Sequence, residues 1–243
     1  MHIAKHTTGY ILLALIVITA VVGLLLSPPM PQDETYHHFS DTWMLLGIPN
    51  LWNVLSNIPF LVVGCLGLYQ YSKQENVSVQ HLLFYGGIAL VSCGSAYYHW
   101  NPNNTTLVWD RLPMTLAFMA LTSVIISQFV HYRAGKIALV PLLVTGVISI
   151  VYWVYSGDIR LYAAVQFVPL LSIPVVLLCF AQHRDTTKGY WMLVMCYILA
   201  KVTEHLDYQI HNALVIISGH TLKHVFAALG VYLMLRYRNH TSV

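Results

Sequence analysis

The chain has 243 residues, of which 57% are hydrophobic and 9% are charged, and its formal net charge is +3. Soluble domains average about 25% charged residues, so this composition indicates a protein that lies within a lipid bilayer. The few basic residues are spread between apolar stretches and form no patch, so nucleic acid is not an expected partner. The four cysteines fall within apolar stretches, and we expect no disulfide framework.

Runs of about 20 apolar residues predict an all-α bundle of eight membrane-spanning helices. The predicted ranges are 9–27, 50–70, 82–100, 107–130, 136–155, 160–181, 190–208 and 219–236. The first run follows a short basic segment, as in a secretory signal, but residues 26–30 lack the small-x-small pattern that a signal peptidase needs. We therefore expect a retained transmembrane anchor over residues 1–30, an outer loop over 31–49 and a seven-helix core with a cytoplasmic tail over 50–243.

The basic residues predict the orientation, because cytoplasmic loops carry the excess of lysine and arginine. If both termini are cytoplasmic, most basic residues fall on the cytoplasmic side: Lys5, Lys73, Arg133, Lys136, Arg184, Lys188, Arg236 and Arg238. The others fall on the opposite side or within spans: Arg111, Arg160, Lys201 and Lys223. The sequence thus predicts a multi-pass membrane protein whose outer side faces a periplasm or a lumen.

Two short patterns place polar side chains at the predicted outer ends of the helices. Ser95 and His99 are four residues apart, as are His220 and His224, and residues at that spacing share one helical face. Asp110 lies in the predicted first turn of the helix that follows His99. Ionisable residues at membrane depth are energetically expensive and mark functional sites. We therefore expect the five side chains to converge.

Three imidazoles, a carboxylate and a hydroxyl are the parts of a catalytic zinc site. Zn²⁺ held by three protein ligands keeps a fourth position for water, whose pKa falls to about 7. His99, His220 and His224 are the predicted ligands, Asp110 the general base and Ser95 the donor to the oxyanion. The alternative is that these histidines only form hydrogen bonds between helices. We favour metal, because a site poor in water must give each polar group a partner.

Three motifs together resemble the alkaline ceramidase family, which belongs to a superfamily of seven-helix membrane hydrolases that includes the adiponectin receptors. They are the segments from Ser95 to His99, from Asp110 to Met114 and from His220 to His224. The segment from Asn50 to Asn57 is similar to the start of the first core helix in these enzymes. The resemblance covers about residues 41–236. It implies a zinc-dependent amidase that takes a ceramide-like lipid from the bilayer and cleaves it to a sphingoid base and a fatty acid.

Two departures from the family pattern concern calcium and substrate. At most Asp41, Asn50 and Asn53 stand in for the calcium-binding segment of animal ceramidases, so a Ca²⁺ site is a hypothesis that depends on these three residues. Residues 221–223, between the last two histidines, are Thr, Leu and Lys where those enzymes have aromatic residues. Strict specificity for ceramide is therefore not implied.

Two other classes of function are compatible with the same residues. A membrane receptor or scaffold could keep zinc for structure alone, although an open water position argues against that role. A haem-binding electron-transfer protein is the third class. It fits less well, because His220 and His224 aim at one point, whereas two haem ligands face each other across the ring.

The seventh predicted span carries Lys201, Glu204, His205 and Tyr208 on one helical face. The first interpretation is an ion pair between Lys201 and Glu204, because charges within membranes usually pair with one another. The second interpretation is a group that orients a zinc ligand from outside the coordination sphere.

Overall fold

The computed structural model describes residues 2–237, which form a bundle of helices. In chain order these are α1 His2–Leu26, α2 Leu51–Leu55, α3 Ile58–Ser72, α4 Val79–Trp100, α5 Asn104–Ile125, α6 Tyr132–Ser156, α7 Arg160–Cys179, α8 Lys188–His205, α9 Asp207–Leu214 and α10 Gly219–Arg236. No β-strand occurs within residues 2–237, and the predicted all-α fold class is confirmed. Arg238, one of the predicted cytoplasmic cations, lies outside the described residues.

Most of the helices are long and apolar enough to cross a membrane, which indicates a multi-pass membrane protein. Six segments in the described part of the chain qualify: Ala4–Leu26, Leu51–Ser72, Val79–Trp100, Asn104–Val130, Tyr132–Ser156 and Arg160–Cys179. Helices α9 and α10 make a seventh only if they count as one span, although they meet at an angle of 103°. Six of the eight predicted spans therefore meet this criterion, or seven with the bent pair, and α8 does not. The reason in α8 is charge, since this helix carries Lys188, Lys201 and Glu204.

Two predicted helices are interrupted. The run over residues 50–70 breaks at Ser56 and Asn57, whose side chains donate hydrogen bonds to the Asn53 carbonyl at 3.1 and 2.8 Å. Such short polar side chains compete with the backbone ladder of a helix. The run over residues 190–208 ends at His205, so Tyr208 belongs to α9. The prediction that Tyr208 shares a continuous helical face with Lys201 is wrong.

Polar caps set the start of the two helices that carry most of the predicted site. Asn103 caps α5: its side chain accepts hydrogen bonds from the Thr105 and Thr106 amides, and the Thr106 hydroxyl accepts one from the Asn103 amide. Ser218 caps α10 by accepting a hydrogen bond from the Thr221 amide at 3.1 Å. Because the capping box starts α5 at Asn104, Asp110 lies in the second turn and not in the predicted first turn.

The bundle has one end rich in buried polar groups, which we call the histidine end. It consists of the last turns of α4 and α8, the first turns of α5 and α10, helix α2, and the covering segment 31–49. His99 and His220 lie there, together with the fully buried Asp41 and Asn53. An apolar core with Tyr85 at its centre fills the bundle towards the opposite end. The polar groups are thus held by rigid apolar helices.

Helix α1 lies against α7, outside the rest of the bundle, with most of its surface exposed. The Arg160 guanidinium at the start of α7 donates hydrogen bonds to the Leu24 carbonyl at 3.0 Å and to the Ser27 carbonyl. Asp158 accepts a hydrogen bond from the Met30 amide at 3.1 Å. Its side-chain hydrogen bond with Arg160 holds the pKa of the Asp158 carboxyl well below its usual range, so this pair is charged at neutral pH. The pair therefore ties the end of α1 to the loop between α6 and α7.

The contact between α4 and α5 has no room for a side chain at Gly94, and this contact sets the position of Ser95 next to Asp110. A Cβ atom at residue 94 would lie 1.9 Å from the Trp109 carbonyl oxygen, so the backbone itself would have to move. We expect Gly94→Ala to destabilise the protein by about 1–3 kcal/mol and to lower any activity that depends on Ser95 and Asp110. The free energy of unfolding in detergent measures the first effect.

Gly86 provides the matched control on the same helix. A Cβ atom there would meet only the Leu68 Cδ2 atom, at 3.9 Å. Gly86→Ala should leave stability unchanged or raise it by about 0.5–1 kcal/mol, because alanine favours the helix. Equal behaviour of the two variants would show that the close contact of α4 with α5 is unimportant.

Candidate metal centre

Three histidines from two helices meet at the histidine end. The ring centroids of His99 and His220 are 4.9 Å apart, those of His99 and His224 4.9 Å, and those of His220 and His224 5.0 Å. One ring nitrogen of each residue lies within 4.8 Å of the other two. All three side chains are buried, with exposed fractions of 1%, 4% and 4%. The three predicted ligands therefore lie together, although one is 121 residues before the next in the chain.

The chemistry of this cluster fits a metal ion. His99 Nδ1 is buried and has no hydrogen-bond partner in the described part of the chain. An unpaired buried polar atom costs free energy, and a bound cation would supply the missing partner. Within the described residues, this is the only group of three His, Cys, Asp or Glu side chains close enough to hold a metal. Three imidazoles without a thiolate match the ligand set that zinc takes in catalytic sites.

Ser56 fixes the orientation of His224, and sequence reasoning did not single it out. Its hydroxyl oxygen lies 2.7 Å from His224 Nδ1, and the same hydroxyl donates to the Asn53 carbonyl at 3.1 Å. Because that proton is directed at Asn53, His224 Nδ1 must be the donor to Ser56. The lone pair of the ring is then on Nε2, free to bind a metal. A second hydrogen bond of this kind is what orients metal-bound histidines in proteins.

Removal of this hydroxyl should weaken metal binding. We expect Ser56→Ala to lower the affinity for zinc about 10- to 100-fold, the usual effect of losing an outer partner of a metal-bound histidine. Competition with a chelator of known affinity measures the change. Ser72→Ala removes an exposed hydroxyl near the other end of α3, where it bonds only to the Tyr69 carbonyl, and should leave zinc affinity unchanged. An unaltered affinity in Ser56→Ala would contradict the assigned role.

Asp207 connects the covering segment to the first turn of α10. One carboxylate oxygen accepts a hydrogen bond from the His220 amide at 2.6 Å, and the other accepts one from the Ser40 amide at 3.0 Å. The amides at the N-terminus of a helix favour a negative charge. The contact fixes the backbone of His220. Sequence reasoning missed it because Asp207 lies in another predicted helix, 13 residues before His220.

Phe39 covers two rings of the cluster from the side of segment 31–49. Its ring centroid lies 4.6 Å from that of His99 and 4.6 Å from that of His220. The neighbouring His37 bonds the Tyr98 hydroxyl at 2.8 Å, which holds the segment on α4. An aromatic ring in this position excludes water from that side of the histidines.

Ser95 and Asp110 form a second polar pair near the histidines. Both are buried, with exposed fractions of 3% and 7%. The Ser95 side chain and Lys223 both interact with the Asp110 carboxyl. Ser95 is also one helical turn from His99. Ser95 thus brings this pair to the neighbourhood of the histidine cluster, and the catalytic roles of the two residues stay predictions.

The predicted ion pair between Lys201 and Glu204 is confirmed, and it is part of a longer chain of contacts. One carboxylate oxygen of Glu204 pairs with Lys201, and the other accepts a hydrogen bond from Lys223 Nζ at 2.7 Å. Lys223 Nζ also lies 3.4 Å from His220 Nε2. Glu204 is thereby linked through Lys223 to the neighbourhood of His220, and its proposed role in orienting a zinc ligand stays a prediction. The spacing along α8 could not indicate Lys223 as a second partner of Glu204, because Lys223 lies on α10.

The three residues of the calcium hypothesis bond to protein groups. Asp41 accepts hydrogen bonds from the Trp43 amide at 3.1 Å and the Asn53 amide at 2.8 Å. The Asn50 side chain donates to the His99 carbonyl at 2.9 Å, which ties α2 to the end of α4. These contacts account for the burial of Asp41 without a cation, and calcium binding stays a prediction.

Comparison with known proteins agrees with this geometry. The family model described as Ceramidase matches residues 45–243. The chain belongs to the ceramidase family. The resemblance predicted from the three motifs is thereby confirmed, and family membership implies a membrane lipid hydrolase that acts on the ceramide amide bond. A search of curated proteins found no match.

The family model covers only part of this ceramidase family member, because the residues before 45 lie outside the matched range. It contains all five predicted site residues and helices α2 to α10. Helix α1 and the part of segment 31–49 that carries Phe39 precede it. The metal cluster is therefore a feature of the family region, whereas the ring that covers it comes from a segment outside that region.

Proposed function

We propose that this protein is a zinc-dependent integral-membrane amidohydrolase. It cleaves the amide bond of a ceramide-like lipid with water, giving a sphingoid base and a fatty acid. The observation that supports the proposal most strongly is the buried triangle of His99, His220 and His224 beside the Ser95 and Asp110 pair. A metal kept only for structure would need no such carboxylate and hydroxyl next to it.

The histidines, Asp110 and Ser95 each have a separate role in the proposed reaction. Zinc held by the three imidazoles would polarise the amide carbonyl and lower the pKa of a water molecule to about 7. Asp110 takes a proton from the attacking water and later delivers one to the leaving amine nitrogen. Ser95 turns its hydroxyl from Asp110 to the substrate carbonyl oxygen, which gains negative charge as the carbon becomes tetrahedral. The surrounding helices keep bulk water away from these transfers.

The direct test combines metal analysis with lipid turnover. The purified protein should contain zinc and hydrolyse ceramides of some chain length. A chelator should abolish turnover, and added zinc should restore it. Zinc content without turnover of any ceramide in a panel of chain lengths would favour the alternative, a receptor or scaffold that uses the metal for structure.

We also propose that both termini are cytoplasmic and that the histidine end faces the outer side, in a periplasm or a lumen. The supporting observation is the position of basic residues such as Lys73 and Arg133, which lie at the ends of α3 and α6 opposite to the histidine end. A reporter fused after Arg238 should then be cytoplasmic, and a tag within residues 101–106 should be labelled from outside. The reverse labelling would overturn the orientation.

A further inference from the structure

Two short turns at the histidine end expose aliphatic side chains on a strained backbone. In the described part of the chain three residues other than glycine have a positive φ angle, and two of them are Leu46 (53°) and Val215 (66°). These two residues are 91% and 66% exposed. A positive φ angle is uncommon for leucine and a genuine outlier for a β-branched valine. Strained backbone of this kind clusters at functional sites, so both turns need a reason.

The first turn is a tight hairpin that holds Leu46 at its tip. Leu45 and Ile48 exchange both backbone hydrogen bonds, at 3.2 and 2.9 Å. Leu46 and Gly47 occupy the two central positions, and positive φ angles at both make this a turn in which Asn-Gly is the favoured sequence. The chain thus has a leucine where an asparagine would be less strained. The residues before it add exposed apolar surface: Trp43, Met44 and Leu45.

The second turn joins α9 to α10. The Ile216 amide donates a hydrogen bond to the Leu214 carbonyl at 2.8 Å, which makes Val215 the centre of a γ-turn of the rare, strained kind. Leu214 and Ile216 are also exposed. Helix α9 has no buried residue and meets α10 at 103°. Because α10 packs along α8 in the bundle, α9 lies across the end of the bundle, close to the plane of the membrane.

Tryptophan side chains place this end of the bundle at the boundary between lipid and water. The three exposed tryptophans among the described residues all lie here: Trp43, Trp100 and Trp109. Tryptophan is enriched at the interfaces of a membrane, where its ring lies at the level of the head groups. Trp43 belongs to the first turn, and residues 42–72 contain no charged side chain. The first turn is therefore continuous with the apolar surface of α3.

Each turn is connected to a predicted zinc ligand through one carboxylate. Asp41 accepts hydrogen bonds from the amide of residue 43, in the first turn, and from the Asn53 amide. The Asn53 carbonyl in turn accepts the hydroxyl that orients His224. Asp207, the first residue of α9, accepts a hydrogen bond from the His220 amide at 2.6 Å. The level of the two turns therefore fixes the level of the metal centre in the membrane.

We infer that these two turns form an interaction surface for the lipid leaflet at the histidine end, with Leu46 and Val215 inserted between the head groups and the acyl chains. Burial of aliphatic side chains in lipid supplies free energy that offsets the strain of both turns. Lipid is the partner because the turns are uncharged, lie at the level of the exposed tryptophans and continue the apolar surface of the bundle. The inference holds whether or not the metal centre hydrolyses ceramide.

A bimane label on each turn reports its depth. The labelled sites are Leu46→Cys, Val215→Cys and Thr35→Cys, each in a background with the two exposed cysteines changed, Cys65→Ala and Cys93→Ala. In nanodiscs of phosphatidylcholine brominated along its acyl chains, the labels at 46 and 215 should be quenched as probes about 5–10 Å below the head groups, and aqueous iodide should not reach them. Thr35 is the matched control, since it is exposed on a polar part of the covering segment, and iodide alone should quench its label.

Two results of this experiment would overturn the inference. Quenching of both turn labels by iodide, without quenching by the brominated lipid, would place the turns in water. Shielding from both quenchers would show that a protein covers the turns, such as a second copy of this chain.

A polar variant shows whether the aliphatic side chains cause the insertion. Leu46→Asn combined with Val215→Asn should move a bimane label on Met44→Cys from lipid to water, because the turns lose their apolar surface. The variant should fold, since asparagine adopts positive φ angles more readily, and its unfolding temperature in detergent should be unchanged or higher. Leu46→Met combined with Val215→Leu keeps the apolar surface and should keep the quenching by lipid. A label that stays in lipid in the asparagine variant would refute the two turns as the lipid-binding surface.

Discussion

Replacement of His220 by alanine should abolish metal binding and, with it, lipid hydrolysis. The wild-type protein should carry about one zinc per chain, and the variant less than about a tenth of that, because two imidazoles from different helices do not make a zinc site. Of the three predicted zinc ligands, His220 is the most informative one to replace. Its ring contacts Phe39 and lies near Lys223, and its backbone amide is held by Asp207, so the fold around it has other supports.

Elemental analysis of the purified variant checks this result. His183→Ala is the matched control, since His183 is exposed near the opposite end and makes no side-chain cap there. The control should keep full zinc content and turnover. Full zinc content in His220→Ala would reject the assigned triad. Loss of turnover with zinc retained would instead show that His220 takes part in the reaction and is not a zinc ligand.

The sequence predicts the parts of this site that depend on local spacing. Ser95 and His99, and His220 and His224, are four residues apart, and a helix brings such pairs to one face whatever the rest of the fold does. Alternation of apolar runs with short loops then places these faces at the same end of the bundle. That is why the three histidines could be predicted to meet although more than a hundred residues separate them.

The contacts that orient these residues depend on tertiary packing, and the sequence pattern does not show them. Ser56 lies in an interrupted helix far from His224 in sequence, and Asp207 lies beyond the end of α8. Single serines and aspartates of this kind are common in loops and caps. The capping box at Asn103 lies in a polar stretch of the sequence, but the start of α5 depends on side-chain hydrogen bonds that the spacing of polar residues does not determine.

Among the ionic groups too, contacts within one helix could be predicted from spacing, whereas contacts between helices could not. The spacing of Lys201 and Glu204 predicts their pairing, because both are on one helix. Lys223 joins them from α10, and Arg111 is surrounded by rings from α6, α7 and the covering segment. Both cations appeared as exceptions to the distribution of basic residues between the two sides. Such exceptions are informative in a membrane protein, since a charge away from the cytoplasmic loops needs a specific reason.

Asp110→Asn should keep the metal and lose activity. The amide side chain has nearly the same shape as the carboxylate but cannot accept the proton of the attacking water, and loss of a general base lowers turnover about a hundredfold or more. Zinc content should stay near one per chain, because Asp110 is not among the three predicted ligands. Normal turnover in this variant would show that Asp110 is not the general base. It would favour the alternative function, a receptor or scaffold that uses the metal only for structure.

Ser95→Ala should also keep the metal and lower kcat rather than raise KM, by about 3 kcal/mol in transition-state stabilisation if its hydroxyl supports the oxyanion. Because the Ser95 side chain interacts with the Asp110 carboxyl in the resting protein, it could instead act only through that carboxyl. The double variant separates the two roles: independent roles multiply the losses, whereas action through Asp110 adds no loss to that of Asp110→Asn. Ser123→Ala, on α5 at the opposite end, removes another buried hydroxyl and should retain wild-type kcat. A double variant no slower than Asp110→Asn would therefore reduce Ser95 to a positioning residue, with the oxyanion left to the metal.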